Sequence, residues 1–239
     1  MAQMRLQKFL SMAGLCSRRH GEKYITDGCV RVNGRVVNEL GTKVDPKNDR
    51  IEVCGKLVEA KQKAVYIALN KPKGYIVSCN RISGHSYDKI VLDLIDISER
   101  IYPVGRLDKD STGLLLLTNN GDLHHRLLHP SFDHEKEYEV AVAKPIPDGA
   151  LRNMANGLPL MGTKTRLAKI KRISARLFRI VLKEGKNRQI RRMVRKVGNQ
   201  VVRLKRIRVA NILLENLEEG DWRYLTETEK KELLKTSFF

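Results

Sequence analysis

The sequence lacks several features that would place it in large classes of proteins. It has no apolar run of 18 or more residues, so no membrane-spanning helix is expected. The first residues, MAQMRLQKFLSMAG, contain no long apolar core, and we expect no secretory signal. The four cysteines, Cys16, Cys29, Cys54 and Cys79, have no short metal-ligand spacing, which is typical of reduced thiols in a cytoplasmic protein.

Motifs for several common chemistries are also missing. There is no Gly-x-Gly-x-x-Gly, no Walker-type phosphate loop and no Gly-x-Ser-x-Gly, so hydride transfer, nucleotide hydrolysis and acyl transfer are not predicted. His125 and His129 have helical i, i+4 spacing but no neighbouring glutamate, and no metal site is expected there. Only 5% of the residues are aromatic, so platforms that stack single-stranded bases must be sparse.

Positive charge is what the chain has in excess. Its 239 residues include 46 Lys plus Arg against 27 Asp plus Glu, a formal net charge of +19. Residues 164–208 alone hold 18 Lys plus Arg and one acid, a local charge of +17. A solvated basic face is the simple explanation, but so one-sided a segment favours a polyanionic partner. Nucleic acid comes first among such partners, ahead of an anionic membrane.

Residues 1–61 predict a small module of two helices and a short sheet. Apolar residues at i, i+3, i+4 and i+7 predict an amphipathic helix over residues 5–13. Ser17 can N-cap a second helix, which extends to about residue 26 and places Arg18 and Arg19 on a basic face. Asn33-Gly34, between two alternating apolar runs, predicts a β-hairpin.

Residues 62–239 predict a larger α+β domain. Strands are expected at residues 64–70, 75–78 and 136–143, and a helix that carries several arginines at 187–197. A capping-box pattern that begins at Thr226 predicts a final helix. Because strands and helices do not alternate regularly, we expect a mixed or antiparallel sheet rather than a doubly wound parallel one.

One polar loop stands between two apolar runs and is the strongest candidate for chemistry. Gly105-Arg106-Leu107-Asp108 follows residues 101–104 and precedes four leucines at 114–117, which predict a buried strand. A loop held between buried strands is a rigid support for a catalytic group, and Asp108 is the candidate. On local sequence alone, Asp108 and Asp110 can equally be acids that form hydrogen bonds within the turn.

Five segments resemble known motifs, and the resemblance that they carry extends over essentially the whole chain. RLQKFLSMAGLCSRRHGEKYITDGCVRVNGRVV resembles the RNA-binding module named after ribosomal small-subunit protein S-four. LNKPKG, VGRLDKDSTGLLLLTNNGDL, EKEYEV and EGKNRQIRRM resemble, in chain order, the motifs of pseudouridine synthases. The similarity is to the branch with small-subunit synthase A and large-subunit synthases B, E and F, and within it most to the synthase F group. It implies an S-four-like α/β domain at 1–61 and a pseudouridine synthase catalytic domain at 62–239.

The resemblance also implies roles for individual residues. Asp108 matches the catalytic aspartate, Tyr138 the tyrosine that packs on the target base, and Arg191 the basic residue that pairs with the aspartate and keeps it charged. Asp110 is then left with a structural role. More distant branches have His where this chain has Arg188, so no specific family role is transferred to that position. Contacts with RNA are expected from Arg106, Arg5, Arg18, Arg19, Lys71, Lys186, Arg188 and Arg192.

The implied activity is isomerisation of one uridine in ribosomal RNA, expected in the large subunit, by a cytoplasmic monomer. The product is an isomer of the substrate, so no cofactor or metal is required in principle. A non-catalytic rRNA-binding or ribosome-assembly protein is the alternative. It accounts for the charge and the N-terminal module but not for Asp108, Tyr138 and Arg191 together. A DNA-binding regulator would predict a dimer seam, and the chain has no heptad pattern.

Overall fold

The computed structural model describes residues 3–59, 63–80 and 88–235, which form two compact units. The first unit contains the residues up to Val65 together with Ile97–Ile101 and Asn119–Gly121. The second contains Tyr66–Asp96, Tyr102–Thr118 and the residues from Asp122 onward. The predicted boundary at residue 61 lies outside the described residues. Across the described ranges, every helix is too short or too polar to cross a membrane.

The first unit packs two helices with short antiparallel strands. In chain order its elements are β1 (Met4–Arg5), α1 (Leu6–Met12), α2 (Arg18–Thr26), β2 (Val30–Val32), β3 (Arg35–Val37), β4 (Lys43–Val44), β5 (Ile51–Val53) and β6 (Lys56–Leu57). One sheet has the order β3-β2-β5-β6, and β1 pairs separately with β4. The apolar face of α1 is buried against side chains from α2 and the strands, which form one hydrophobic cluster.

Local sequence signals explain the helix start and the turn in this unit. The Ser17 side chain accepts a hydrogen bond from the His20 backbone N–H at 3.2 Å, so the predicted N-cap of α2 is confirmed. Asn33 and Gly34 both have positive φ, at 51° and 80°, as the tightest hairpin turns require. β2 and β3 pair around them, with Val32 opposite Arg35, which confirms the predicted hairpin.

The second unit is built on a large mixed sheet with helices and short strands around it. Its strands are β7 (Tyr66–Lys71), β8 (Tyr102–Val104), β9 (Thr112–Thr118), β10 (Lys136–Val142), β11 (Pro159–Leu160), β12 (Thr163–Lys164), β13 (Lys169–Ser174), β14 (Leu177–Leu182), β15 (Val201–Val209), β16 (Ile212–Leu213) and β17 (Trp222–Tyr224). Its α-helices are α3 (Gly121–Leu128), α4 (Asp148–Ala155), α5 (Gln189–Lys196) and α6 (Glu227–Lys235). Short 3₁₀ helices lie at Val91–Leu94 and Pro130–Phe132.

The sheet joins two antiparallel regions through one parallel pair. Its order is β13-β14-β10-β15-β9-β7-β17, with β16 on β15 and β8 on β9. β15 and β9 run parallel, whereas the other neighbours are antiparallel, so the predicted mixed sheet in an α+β fold is confirmed. All seven residues of β9 are buried, as the leucine run predicted. Because β8 pairs with β9, both ends of the loop that joins these two strands are attached to the sheet.

Two hydrophobic clusters stabilise the second unit. One lies between β10, β14, α4 and α5, and the other between β9, β16, α3 and α6. The predicted capping box of the last helix is confirmed, because Thr226 and Glu229 exchange side chain to backbone hydrogen bonds at 2.8 and 3.2 Å. The predicted strand at 75–78 is wrong, since this segment makes only an isolated bridge between Ile76 and Ile90.

Candidate active site

The loop that carries Asp108 is short and held on both sides by paired strands. Residues 105–111 connect β8 to β9, which pair antiparallel with Val104 opposite Leu116. Leu107 is buried, and the Ser111 backbone N–H donates to the Asp108 carbonyl oxygen at 3.0 Å, closing a turn. The Asp108 side chain keeps 30% of its surface exposed. Its carboxylate is therefore held by the loop and remains accessible.

Arg188 is the guanidinium that faces this carboxylate. It precedes α5 in the left-handed conformation, with φ 50° and ψ 34°, which few non-glycine residues adopt. Arg188 Nη1 lies 3.6 Å from Asp108 Oδ2. The same guanidinium donates to both carboxylate oxygens of Asp110, at 3.3 and 3.2 Å. One arginine thus connects the two acids of the loop, and it does so from an unusual backbone conformation.

Arg191 forms its ion pair with Asp110, so the predicted pairing of Arg191 with Asp108 is wrong. Arg191 Nη2 lies 3.2 Å from Asp110 Oδ2 and donates to the Asp110 carbonyl oxygen at 3.1 Å. It also bonds to Ser111 Oγ at 3.3 Å, and its side chain is only 14% exposed. The reason is position: Arg191 projects from the first turn of α5 under the loop, whereas Arg188 precedes the helix and reaches Asp108.

Asp110 therefore pairs with both guanidinium groups beside the loop, whereas the sequence suggested only a structural role for it. Partial burial on its own would raise the pKa of Asp110. The hydrogen bond from Arg188 and the charges of Arg191 and Arg188 outweigh burial, so the pKa of Asp110 lies below its ordinary value. Asp110 stays ionised at neutral pH and holds both guanidinium groups beside the loop.

Asp108 opens onto a cavity of about 700 Å³. Tyr138 on β10 lies at this cavity and packs against the buried cluster below it. Across the sheet, Tyr138 is opposite Ile180 on β14 and Arg206 on β15. The cavity has the volume of a typical small-molecule site, with an apolar base and polar groups around it. Its polar lining includes Arg106, Asp108, His134, Lys136, Tyr138, Lys186, Arg188 and Arg206.

A second, more basic groove of about 850 Å³ adjoins the same loop. Arg188 and Asp110 lie along it, and Arg188 lines both cavities. Arg191 belongs to this groove and not to the lining of the first cavity. The other cationic side chains of the groove are Lys73, Lys144, Arg192 and Arg195. The arrangement suits an anionic chain that passes the Asp108 cavity.

Lys71 cannot contact RNA as predicted, because its side chain is completely buried, with 0% of its surface exposed. Its ammonium group donates to the carbonyl oxygens of Ser111 and Pro72, at 2.8 and 3.0 Å. Burial lowers the pKa of Lys71 to about 8, although the charges of Asp110 and Asp108 oppose this shift. Lys71 ends β7 opposite Gly113 of β9, and it fixes the end of the Asp108 loop from inside.

The remaining predicted RNA contacts divide between the two units. Arg5, Arg18 and Arg19 are exposed in the first unit, on and beside its helices. In the second unit Arg106 and Arg192 are exposed. Lys186 is half-buried and donates to Thr163 Oγ1 at 2.6 Å. The structure thus brings Asp108, Tyr138, Arg106, Lys186 and Arg188 to one cavity and Arg191 and Arg192 to the adjoining groove.

The sequence alone did not single out Arg206, which lines the cavity. It is 3% exposed on β15. The available signal was alternation: Leu204 and Arg206 are two residues apart and so share the inward face. The rings of His125 and His129 lie 5.2 Å apart between centroids, tilted by 35°. Within residues 3–59, 63–80 and 88–235, no group of three or more His, Cys, Asp or Glu is arranged to hold a metal ion.

Comparison with known proteins agrees with this geometry. The model of the RNA pseudouridylate synthase family matches residues 65–196, and the S4 domain model matches residues 4–51. The chain is 43% identical over 236 residues to a dual-specificity RNA pseudouridine synthase, RluF, of Escherichia coli O6:H1, covering 98% of this chain and 79% of the relative. It is 42% identical over 236 residues to ribosomal large subunit pseudouridine synthase B of Bacillus subtilis, covering 96% and 95%.

A solved structure shows the same fold. A crystal structure of a pseudouridylate synthase superimposes with a TM-score of 0.71 at 31% sequence identity, covering 96% of this chain and 99% of that chain. The predicted S-four-like module and the predicted synthase fold are therefore both confirmed. The family model spans more than half of the chain and includes the Asp108 loop, Tyr138 and α5. This chain belongs to the RNA pseudouridine synthase family.

Proposed function

We propose that this enzyme converts one specific uridine of large-subunit ribosomal RNA to pseudouridine, with Asp108 as the reacting carboxylate and without a cofactor. One observation carries the proposal. Asp108 faces a cavity of about 700 Å³ whose wall includes Tyr138, in a chain of the RNA pseudouridine synthase family. A base that leaves its helix could enter this cavity between the two side chains.

The chemistry requires only a carboxylate and a confined base. The bond between ribose C1′ and uracil N1 breaks, the base rotates, and a bond forms between C1′ and C5. The proton on C5 leaves and N1 gains one, so substrate and product have the same composition and no redox partner is needed. Asp108 can attack C1′, attack the base or remove the C2′ proton. Each route needs an ionised Asp108, and the Arg188 guanidinium lies 3.6 Å from its carboxylate.

Tyr138 and Arg106 are proposed to hold the extruded nucleotide. Taking a base out of its stack costs a few kcal/mol. Stacking on an aromatic ring returns about 1–3 kcal/mol, and Tyr138 is the aromatic residue of the cavity wall that we assign to it. Arg106 is exposed at the cavity, two residues before Asp108, where it can contact the RNA strand that the nucleotide leaves.

RNA binding is proposed to rest on two cationic surfaces. In the second unit, the groove with Arg188, Arg191 and Arg192 would follow the phosphate backbone past the cavity. In the first unit, Arg5, Arg18 and Arg19 are exposed on the S4-type fold and would anchor the RNA by phosphate contacts. The ribosomal substrate is inferred from the large subunit synthase of Bacillus subtilis, and we propose that the enzyme acts as a monomer in the cytoplasm.

The experiment is tritium release from uracil C5 of ribosomal RNA isolated from cells that lack the gene. D108N should lower the single-turnover rate by at least about 10³-fold, as loss of a reacting group does. D148N is the matched control, because Asp148 is a surface acid that is paired with Arg172 in the same unit. Release by D108N at the rate of D148N would refute the assignment of Asp108.

The target is found by mapping pseudouridine at single-nucleotide resolution in cells with and without the gene. We expect one large-subunit position to lose its signal without the gene and regain it on expression of the wild type, but not of D108N. A lost position in the small subunit would overturn the proposed substrate while leaving the activity in place.

A further inference from the structure

Arg206 is a buried cation in the proposed base pocket that has no acidic partner among the described residues. The residue is 3% exposed and belongs to the lining of the Asp108 cavity. Nε donates to the Leu114 carbonyl oxygen at 2.7 Å, and Nη1 reaches the Arg106 carbonyl oxygen at 3.5 Å. Nη2 has no hydrogen-bond partner, and no described carboxylate forms an ion pair with this arginine.

Burial of an arginine without an acidic partner lowers the stability of the fold, so a purely structural role does not explain this arrangement. Buried charges in proteins are normally paired, because removal from water is otherwise uncompensated. Arg191 beside the loop follows this rule, since its side chain is only 14% exposed and pairs with Asp110. Arg206 is too deeply buried to bind a phosphate on the surface. Its charge is therefore available to a group inside the cavity.

The effect of this charge is visible in the pocket. Lys136 lines the same cavity, and its pKa is lowered by burial and further by the positive charge of Arg206. The position of Arg206 relative to the base site is fixed by the sheet. It lies directly opposite Tyr138 across the β10–β15 pair, so the two side chains share the face that lines the cavity.

Resting on the proposed function, we propose that Arg206 stabilises the uracil anion that forms when the glycosidic bond breaks. The C1′–N1 bond breaks with its electron pair on N1, and the negative charge spreads over O2 and O4. Asp108 compensates at the sugar, by bonding to C1′ or by taking the C2′ proton. C5 then bonds to C1′, and this step either breaks the Asp108–C1′ bond or is accompanied by return of the proton from Asp108 to C2′. Loss of the C5 proton and protonation of N1 complete the product. A fixed cation beside the base lowers the energy of this state more than that of neutral uridine.

This role makes a prediction that a purely structural role does not. R206Q keeps a donor for the Leu114 carbonyl oxygen but removes the charge, whereas R206K keeps the charge. The probes are full-length large-subunit rRNA transcripts made with uridine or with 4-thiouridine. Sulfur in place of O4 makes the departing base a more stable anion and leaves C5–H intact. The measured quantity is the single-turnover rate of formation of the C–C linked nucleoside, after digestion to nucleosides.

We expect R206Q to be slower than wild type by about 10²–10³-fold on the uridine transcript, as for loss of a preorganised charge. On the 4-thiouridine transcript the deficit should be at least about tenfold smaller, and R206K should stay within about tenfold of wild type on both. Equal deficits of R206Q on both transcripts, or R206K as slow as R206Q, would overturn the proposal. Wild-type conversion of the uridine transcript separately tests the proposed function.

Discussion

At Gly113 the strands β9 and β15 approach so closely that no side chain fits between them. Gly113 lies in β9 with φ +101°, directly beside Arg206 of β15 at the only described parallel pair of the large sheet. A Cβ atom at Gly113 would stand 2.2 Å from the Arg206 carbonyl oxygen and 2.6 Å from its nitrogen. Both are backbone atoms, so the clash is relieved only if β9 and β15 separate.

The expected cost of G113A is the sum of two effects. A non-glycine residue at such a φ costs about 1–3 kcal/mol. Overpacking that moves backbone costs typically about 1–3 kcal/mol more. We therefore expect G113A to lower the free energy of unfolding by roughly 2–6 kcal/mol. Gly220 provides the matched control, because it has φ +98° and no atom within 4 Å of its Cβ position, so that G220A carries the first effect alone.

Trp222 makes the measurement specific to the second unit. It is the one tryptophan of the chain and lies in β17, at the edge of the large sheet. Urea unfolding followed by its fluorescence gives the stability of this unit for wild type, G113A and G220A. G113A should exceed G220A by about 1–3 kcal/mol. Equal destabilisation by the two substitutions would refute the close approach of β9 and β15.

Two pH-dependent predictions follow from the charges around the loop. Lys71 has a pKa of about 8 when folded, against 10.5 for an ordinary lysine, so between these pH values the unfolded chain binds more protons and stability rises with pH. Wild type should gain up to about 3 kcal/mol relative to K71M as pH goes from 7 to 10.5, measured by urea unfolding, and a pH-independent difference would contradict the burial of a charged Lys71. For Asp110, whose pKa is lowered in the fold, the contribution is present above the unfolded pKa and lost as pH falls through the folded value. The stability advantage of wild type over D110N should therefore shrink on acidification, and an advantage that grows toward low pH would exclude the ion pairs of Asp110.

Short-range features of the fold could be predicted because their causes are local. The Asn33-Gly34 turn requires two positive φ angles, and these two residue types accept them most readily. The four leucines at 114–117 have no polar face, so any strand they form must be covered on both sides. The α5 helix likewise presents its apolar residues to a buried cluster and its basic residues outward. In each case the determinants lie within a few residues.

The details of the site could not be predicted, because they depend on residues far apart in the chain. Lys71 lies in the segment Asn-Lys-Pro-Lys-Gly, whose composition is typical of an exposed turn. It is buried because it lies opposite Gly113 and beside Ser111. The choice between Arg188 and Arg191 as the partner of Asp108 depends on one left-handed residue before α5. No sequence signal specifies that conformation for an arginine.

The summed charge of residues 164–208 overstates how much positive charge the folded protein presents to a partner. β10 alternates, so that Lys136 and Tyr138 share one face, while Glu137 and Glu139 project to the other. On that second face the glutamates pair with basic residues of the neighbouring strands. These pairs are Arg208 with Glu137 at 3.0 Å, Arg203 with Glu139 at 3.2 Å and Arg179 with Glu139 at 3.8 Å.

Much of the basic charge on β14 and β15 is therefore used within the sheet, as cross-strand pairs that hold β10 in register. The acids for these pairs come from residues 137–139, outside the basic segment, so a count over 164–208 could not include them. On α5 the basic side chains are not matched by acids in this way. Arg192 and Arg195 are exposed along the groove beside the Asp108 loop, where no comparable row of glutamates faces them in the described residues. The surface that attracts RNA is thus narrower than the sequence implies, and it lies next to the cavity in which the base would react.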